Sequence, residues 1–151
     1  MSIAIGVRAI AAVGDRILLC QNRANKEVFW CLPGGGLEED ESLRGGLQRE
    51  LKEEFGIDTS VGRLLVVHES LVANIQHIQF FFHIALGEEF KGVNPDTASH
   101  AHEISNFTFM PVDRIPDSTI RPDFLKQLVS VLYASGYAAP IVHIEDQQMT
   151  R

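Results

Sequence analysis

A glycine-rich turn followed directly by a glutamate-rich helix is the feature of this chain that most restricts its fold. The turn reads Pro33-Gly34-Gly35-Gly36. Three consecutive glycines indicate a place where the backbone approaches another group closely or adopts a positive φ. The run that follows, 41–55, contains no proline, is rich in Leu, Glu, Lys and Arg, and ends at Gly56. This pattern predicts a helix with a glycine stop.

The predicted helix carries carboxylates beside its apolar face. Leu43, Leu47 and Leu51 form a stripe about 80° wide on a helical wheel. Glu54 falls inside that stripe, and Glu50 lies about 20° from its edge. Glu50 and Glu54 are four residues apart, so their like charges repel on one face of the helix. A purely structural helix would turn both side chains away from the core.

Carboxylates that converge in this way indicate a shared proton or a bound cation. Glu50, Glu53 and Glu54 offer hard oxygen ligands, which suit Mg²⁺ or Mn²⁺ better than zinc. The alternative is a solvated acidic helix face with Arg49 and Lys52 as charge partners. The glycine turn favours the cation, because a glycine turn before a helix can offer backbone groups to a phosphate or a metal.

Length and composition predict one domain. The chain has 151 residues, of which 45% are hydrophobic and 22% charged. We expect a single domain over 1–151, with a core of about 3–136 and a tail, 137–151, to which no structure is assigned. No apolar run reaches the roughly 18 residues that a membrane helix needs, so we expect no membrane-spanning segment.

Charge and cysteine content narrow the class of partner. The formal net charge of −7 disfavours bulk nucleic-acid binding, because a phosphate backbone would meet a repulsive field. A small anionic substrate then requires local positive charge, which a divalent cation could supply. No export signal precedes the first apolar run, so Cys20 and Cys31 are expected to be reduced thiols in a cytoplasmic protein.

The remaining pattern is mainly of strands. Gly14-Asp15 separates two apolar runs and predicts a hairpin, whereas apolar residues at helical spacing predict a late helix over 122–135. Further strands are expected at 30–32, 62–71, 75–86 and 107–112. This order indicates an α+β fold, with a mixed β-sheet sandwiched between two helices.

The glycine turn and the helix together resemble a family signature. Gly35 is followed after five residues by Glu41, and after seven more by Arg49-Glu50-Leu51-Lys52-Glu53-Glu54-Phe55-Gly56-Ile57. These 23 residues resemble the Nudix box of the MutT-like Nudix hydrolases at every fixed position. The family resemblance implies an αβα sandwich, which agrees with the strand and helix order.

The resemblance also implies roles for residues of the box. Glu50 and Glu54 would bind metal directly, Glu53 would be a further ligand or the ligand of a second ion, and the Gly34 carbonyl would be an additional one. Arg49 would orient the carboxylates through an ion pair with Glu50 or Glu41. The fixed residues with a structural role in the motif would be Gly35, Glu41 and Gly56.

The general base and the substrate contacts stay open. The base is either a box glutamate, with Glu53 first, or Glu103 in the loop before strand 107–112. Neighbouring His100 and His102 are candidates for phosphate contact, although exposed histidines are more often plain surface. Trp30 could stack on a base or simply cover the edge of the core.

Nudix enzymes hydrolyse an acid anhydride, the diphosphate linkage between a nucleoside and another group X, with a divalent cation as cofactor. The resemblance therefore implies a small nucleoside diphosphate derivative as substrate, of the nucleotide-sugar or nucleoside triphosphate class. Segment 58–79 lacks the proline and tyrosine markers of two Nudix subfamilies. The alternative function is nucleotide sensing without cleavage, and a homodimer is compatible with the sequence.

Overall fold

The computed structural model describes residues 2–92 and 106–146. Its strands and helices follow in the order β1 (Ser2–Val13), β2 (Arg16–Ala24), β3 (Glu27–Cys31), β4 (Gly34–Gly36), α1 (Leu43–Phe55), β5 (Leu64–Val72), β6 (Ile75–Ala85), β7 (Phe107–Pro111), β8 (Ile120–Arg121), α2 (Leu125–Ala134) and β9 (Val142–Glu145). Two 3₁₀ segments, Glu88–Gly92 and Val112–Asp117, complete the described elements.

One mixed sheet contains all the described strands. Its main path runs β8-β3-β2-β1-β6-β5-β9, while β4 pairs with β1 and β7 pairs with β2. The predicted hairpin is present, because β1 and β2 pair antiparallel across a turn in which Gly14 has a φ of +57°. The long strand β1 also runs parallel to β6 over its whole length, from Ser2↔Ile75 to Ala12↔Ala85.

The two helices cover opposite faces of the sheet. Helix α1 contributes Leu47, Leu51 and Phe55 to one buried cluster, and α2 contributes Leu125 and Val129 to the other. This arrangement confirms the predicted α+β sandwich, since the strand alternation of period two gives the sheet an apolar layer on each side.

The ends of α1 are set by capping residues. The helix begins at Leu43 and not at 41 as predicted, because Ser42 takes the N-cap position and its hydroxyl accepts from the Gly45 N–H at 2.9 Å. Gly56 ends the helix in the left-handed conformation, with a φ of +68°, as the glycine stop predicted.

The tail to which the sequence assigned no structure contributes a strand. Strand β9 pairs parallel with β5, from Val66↔Val142 to Glu69↔Glu145. Within the described ranges, no helix has the length and apolar character needed to cross a membrane.

Candidate active site

The glycine turn becomes strand β4, which packs between β1 and helix α1. Gly34 pairs with Arg8, and Gly35 pairs with Val7. Gly34 has a φ of +147°, and a Cβ there would lie 2.0 Å from the Val7 carbonyl oxygen. The turn therefore requires glycine at 34 for both its conformation and its close approach to β1.

Gly35 provides the space in which a helix carboxylate rests. A Cβ at position 35 would lie 2.4 Å from Oε1 of Glu50. The side chain of Glu50, 14% exposed, thus lies directly against the backbone of β4. The glycine turn and the helix carboxylates are separate features of the sequence, and the fold brings the two into contact.

Arg49 holds three acidic side chains of the site. Its Nε and Nη2 donate to the two oxygens of Glu41 at 2.9 and 2.7 Å. Its Nη1 donates to Glu50 Oε1 and to Glu53 Oε2, both at 3.1 Å. The prediction was an ion pair of Arg49 with Glu50 or Glu41. The structure shows both pairs, and a third with Glu53. The fork geometry of a guanidinium makes this multiple contact available.

Glu41 connects the loop to the helix. Besides the two bonds from Arg49, its Oε1 accepts the backbone N–H of Glu38 at 2.8 Å. These hydrogen bonds lower the pKa of Glu41 to about 2, with the Arg49 side chain as the largest cause. Arg49 also donates to the Gly36 carbonyl at 3.1 Å. Turn, loop and helix are therefore tied together by one arginine.

Glu54 is the carboxyl group most strongly perturbed by its surroundings. Burial raises its pKa to about 8, and the charge of Glu50 and a hydrogen bond with it act in the same direction. The charge of Arg8 and the N–H of Gly34 oppose the shift. Without a cation, therefore, burial and the neighbouring charge favour the protonated form of Glu54.

The carboxylates fit a hard divalent cation. Oε2 of Glu54 is buried without a hydrogen-bond partner, although buried polar atoms are nearly always paired. Glu50 lies beside Glu54, and Glu53 shares Nη1 of Arg49 with Glu50, so both could supply further oxygen ligands. An oxygen-only donor set of high negative charge suits Mg²⁺ or Mn²⁺, and a cation would satisfy the orphaned oxygen.

Two adjoining cavities open beside this cluster. The smaller, about 110 Å³, is lined by Glu54, Gly34 and the thiol-bearing Cys20. The larger, about 290 Å³, lies between the sheet and the start of α2. Four residues line both cavities, so they form one cleft: Arg8, Asn22, Cys31 and Leu32.

Arg8 is a site residue that sequence reasoning missed. Its Nε donates to Gln79 Oε1 at 3.1 Å, and its Nη1 donates to the Leu32 carbonyl at 3.3 Å. The guanidinium therefore stands between the acidic cluster and the larger cavity. A lone arginine inside the apolar run 3–13 was the available signal, because a charged residue on a buried strand needs a partner.

Several predicted residues lie elsewhere. Glu103, His100 and His102 fall outside the described residues. Trp30 packs against the hydrophobic cluster on the α2 side and is absent from the lining of both cavities, so its substrate role stays a prediction.

Gly45 and Gly46 lie in helix α1 where neighbouring groups leave little room for a side chain. A Cβ at 46 would lie 2.7 Å from Leu37 and 2.9 Å from Glu41, and one at 45 would lie 2.9 Å from the Ser42 hydroxyl. The preceding loop and the helix cap, not the sheet, exclude larger residues there.

The two cysteines carry free thiols on neighbouring strands. Cys20 and Cys31 are paired in register, and burial raises the pKa of each thiol. A raised thiol pKa disfavours the thiolate, which is the nucleophilic form of cysteine.

Fold and site together define an αβα sandwich whose glycine turn and first helix carry a carboxylate cluster. The chain matches the model of the NUDIX domain over residues 3–128. It belongs to the Nudix hydrolase family.

Named relatives and structures agree with this membership. A CTP pyrophosphohydrolase of Escherichia coli (strain K12) is 39% identical over 72 residues, which are 44% of this chain and 53% of the relative. The 8-oxo-dGDP phosphatase NUDT18 of Danio rerio is 38% identical over 86 residues, 56% of this chain and 24% of the relative. The solution structure of the E. coli ORF135 protein superposes with a TM-score of 0.73 at 26% identity, covering 92% of this chain and 96% of that one. The matched segments thus span about half or less of these two curated relatives.

Proposed function

We propose that this protein is a Mg²⁺- or Mn²⁺-dependent pyrophosphohydrolase that cleaves the diphosphate linkage of a nucleoside diphosphate derivative. The observation that carries the proposal is the buried carboxyl of Glu54, whose Oε2 has no hydrogen-bond partner and lies beside Glu50. Such an arrangement is costly unless a cation is bound there.

In this proposal Glu50 and Glu54 are the direct metal ligands. Glu53 is a further ligand, and the Gly34 carbonyl, whose residue lines the same cavity as Glu54, is an additional one. The cation supplies neutralisation of the diphosphate and polarisation of the P–O bond. Arg49 keeps Glu50 and Glu53 in position through hydrogen bonds of 3.1 Å to each.

Arg8 has a separate role in binding. Its guanidinium lines both cavities, so it can face a phosphate group that bridges them. Together with the cation, it provides the local positive charge that a chain of net charge −7 needs to hold an anionic substrate. The Nη2 group of Arg8 makes no hydrogen bond to the residues of 2–92 and 106–146, which leaves it for a phosphate oxygen.

The attacking water needs a general base that is not fully committed to the cation. We assign this role to Glu103, with Glu53 as the alternative. His100 and His102 are proposed as neighbouring phosphate contacts. A carboxylate bound to a metal is a weaker base, which favours a residue from outside the helix.

A nucleoside di- or triphosphate is the proposed substrate class. The two curated relatives carry the names of enzymes acting on CTP and on 8-oxo-dGDP. The larger cavity, about 290 Å³, is at the low end of small-molecule sites, which begin near ~300 Å³, so it suits one nucleoside better than two. Nucleotide sugars are also included among the compounds that test the substrate class.

The test is hydrolysis of a panel of nucleoside triphosphates, diphosphates and nucleotide sugars with Mg²⁺ and with Mn²⁺, comparing the unmodified protein with Glu54→Gln. We expect turnover of at least one nucleotide, dependent on the cation, and a loss of at least about 10²-fold in Glu54→Gln, since a ligand charge is removed. Glu39→Gln, which removes the same charge from an exposed loop position, is the matched control and should retain activity. Tight binding of a nucleotide with no turnover of any panel member would instead support the sensing function.

A further inference from the structure

The residue that follows β9 reaches back to the larger cavity. The backbone N–H of Asp146 donates to the Glu69 carbonyl at 3.0 Å, which extends the pairing of β9 with β5 by one residue. The Asp146 side chain turns to the cavity face of β5, where its Oδ1 lies 2.8 Å from Nε2 of His68. His68 lines the cavity and is 7% exposed.

This contact determines which nitrogen of the neutral imidazole carries the proton. A carboxylate only accepts hydrogen bonds, so Nε2 of His68 must carry the proton that it donates to Asp146. In the neutral ring, Nδ1 is then left as an acceptor. The ring edge also packs against Phe124, with 4.9 Å between ring centroids at an interplanar angle of 68°. Tautomer and orientation are therefore both restrained.

Gln79, the cross-strand neighbour of His68, is oriented so that its donor group is free, whereas His68 offers an acceptor. Gln79 pairs in register with His68, and its Oε1 accepts from Nε of Arg8. Because a guanidinium only donates, this bond fixes the amide so that its NH₂ group is the free end. Neither this NH₂ group nor Nδ1 of His68 hydrogen-bonds to the parts of the chain that the structure describes.

We propose that His68, held by Asp146, is a specificity-determining residue that reads the edge of the substrate's nucleobase together with Gln79. The pair offers one acceptor and one donor, which complement a base edge with an adjacent donor and acceptor. The inference rests on the proposed function, because it takes a nucleoside derivative as the ligand of this cavity.

The rest of the cavity lining combines apolar and polar side chains. Five lining residues are apolar or aromatic, Phe29, Leu32, Phe81, Pro122 and Leu125, and Arg8, Asn22, Ser70 and Arg121 add polar groups beside the proposed pair. Arg121 lies over the Phe29 ring, 4.5 Å from its centroid, and closes one side. A base has apolar faces and a polar edge, so it can use both the aromatic residues and the polar pair of this lining.

Binding in the absence of a divalent cation tests the inference without relying on hydrolysis. Dissociation constants would be measured calorimetrically for the nucleoside monophosphates of all four bases and for ribose 5-phosphate, which lacks a base. The unmodified protein should prefer one or two bases and bind ribose 5-phosphate more weakly. His68→Phe keeps the ring packed against Phe124 but removes its polar atoms. It should lower the affinity for the preferred nucleotide about tenfold, the value of one hydrogen bond, and leave ribose 5-phosphate unaffected.

Two further variants separate recognition from folding. Asp146→Asn changes a side chain that is 40% exposed, and it should reduce the preference among bases while the melting temperature stays close to that of the unmodified protein. His143→Gln, on the preceding strand β9 but bonded to Glu69, is the control and should change nothing. The inference is overturned if the folded His68→Phe variant keeps its base preference, if it loses affinity equally for ribose 5-phosphate, or if the unmodified protein shows no base preference. Hydrolysis without base preference would leave the proposed function intact while excluding the role of His68 in reading the base.

Discussion

Gly35 and Glu50 lie so close together that no side chain fits between them: a Cβ on residue 35 would stand 2.4 Å from the carboxylate Oε1 of Glu50. The neighbouring Gly36 has nothing within 4 Å of its own hypothetical Cβ. The glycine triplet thus contains one residue that shapes the carboxylate cluster and another, next to it, that is open to substitution.

Gly35→Ala should impair cation binding more than folding. The added methyl displaces the Glu50 carboxylate, and a flexible side chain can yield at lower cost than backbone. We expect the Mg²⁺ concentration for half-maximal activity to rise about tenfold or more, with a melting temperature a few degrees lower at most. Gly36→Ala is the matched control and should behave like the unmodified protein in both measurements. Equal effects of the two substitutions would refute this placement of Glu50.

The stability of the cation-free protein should fall as pH rises from about 5 to about 8. Glu54 has a pKa of about 8 in the folded protein against an ordinary value of 4.5, so within this window the folded state holds a proton that the unfolded chain has lost. The free energy of unfolding therefore decreases as pH rises. The contribution of Glu54 is fully present below the pKa of the unfolded chain and is lost as the pH passes the pKa of the folded protein. Urea unfolding in EDTA at several pH values measures this slope.

Glu54→Gln should flatten that slope, because the amide does not titrate. Other titrating groups, including the half-buried His83 whose pKa burial lowers, are common to both proteins and cancel in the comparison. Parallel slopes in the two proteins would contradict the raised pKa of Glu54.

Arg49→Lys should weaken both the site and the fold. The guanidinium makes two bonds to Glu41 and one each to Glu50, Glu53 and the Gly36 carbonyl, which a single ammonium cannot replace. We expect a loss of about 2 kcal/mol in unfolding free energy and a marked fall in kcat. Arg23→Lys, at an exposed position of β2, is the control for the change of side chain. A variant of Arg49 with unchanged denaturation midpoint would argue against this network.

The sequence predicted the carboxylate half of the cleft far better than the half lined by Arg8 and His68. Local spacing is enough to bring Glu50, Glu53 and Glu54 to one helix face, and Gly56 marks the helix end by its conformation. Arg8, by contrast, meets the cluster only through the pairing of β1 with β4 and β6, which spacing along the chain does not reveal.

The pairing of His68 with Asp146 lies still further from what a sequence pattern can show. The two residues are 78 positions apart, and β9 is too short and too polar to give a strand signal of its own. His68 lies on strand β5 and has a hydrogen-bonded partner in Asp146. What the sequence could not indicate is the partner, because it depends on the tail returning to the edge of the sheet.

A substitution of Glu103, which lies outside the described residues, distinguishes two mechanisms. If it is the general base, Glu103→Gln should lower kcat by about 10²-fold or more and leave the Mg²⁺ requirement unchanged, because the helix supplies the primary ligands. If it is an outer ligand of the cation, the Mg²⁺ requirement should rise and high Mg²⁺ should restore kcat.

We expect the first outcome. In the proposed mechanism the helix glutamates bind the cation, and two of them already accept from Arg49, whereas a residue beyond the helix can act on the attacking water. Steady-state kinetics across a Mg²⁺ series measures both quantities at once, with Glu89→Gln as the control for removing one negative charge at an exposed position. Unchanged kcat and unchanged Mg²⁺ requirement in Glu103→Gln would transfer the role of base to Glu53, and Glu53→Gln would then have to show the loss in kcat.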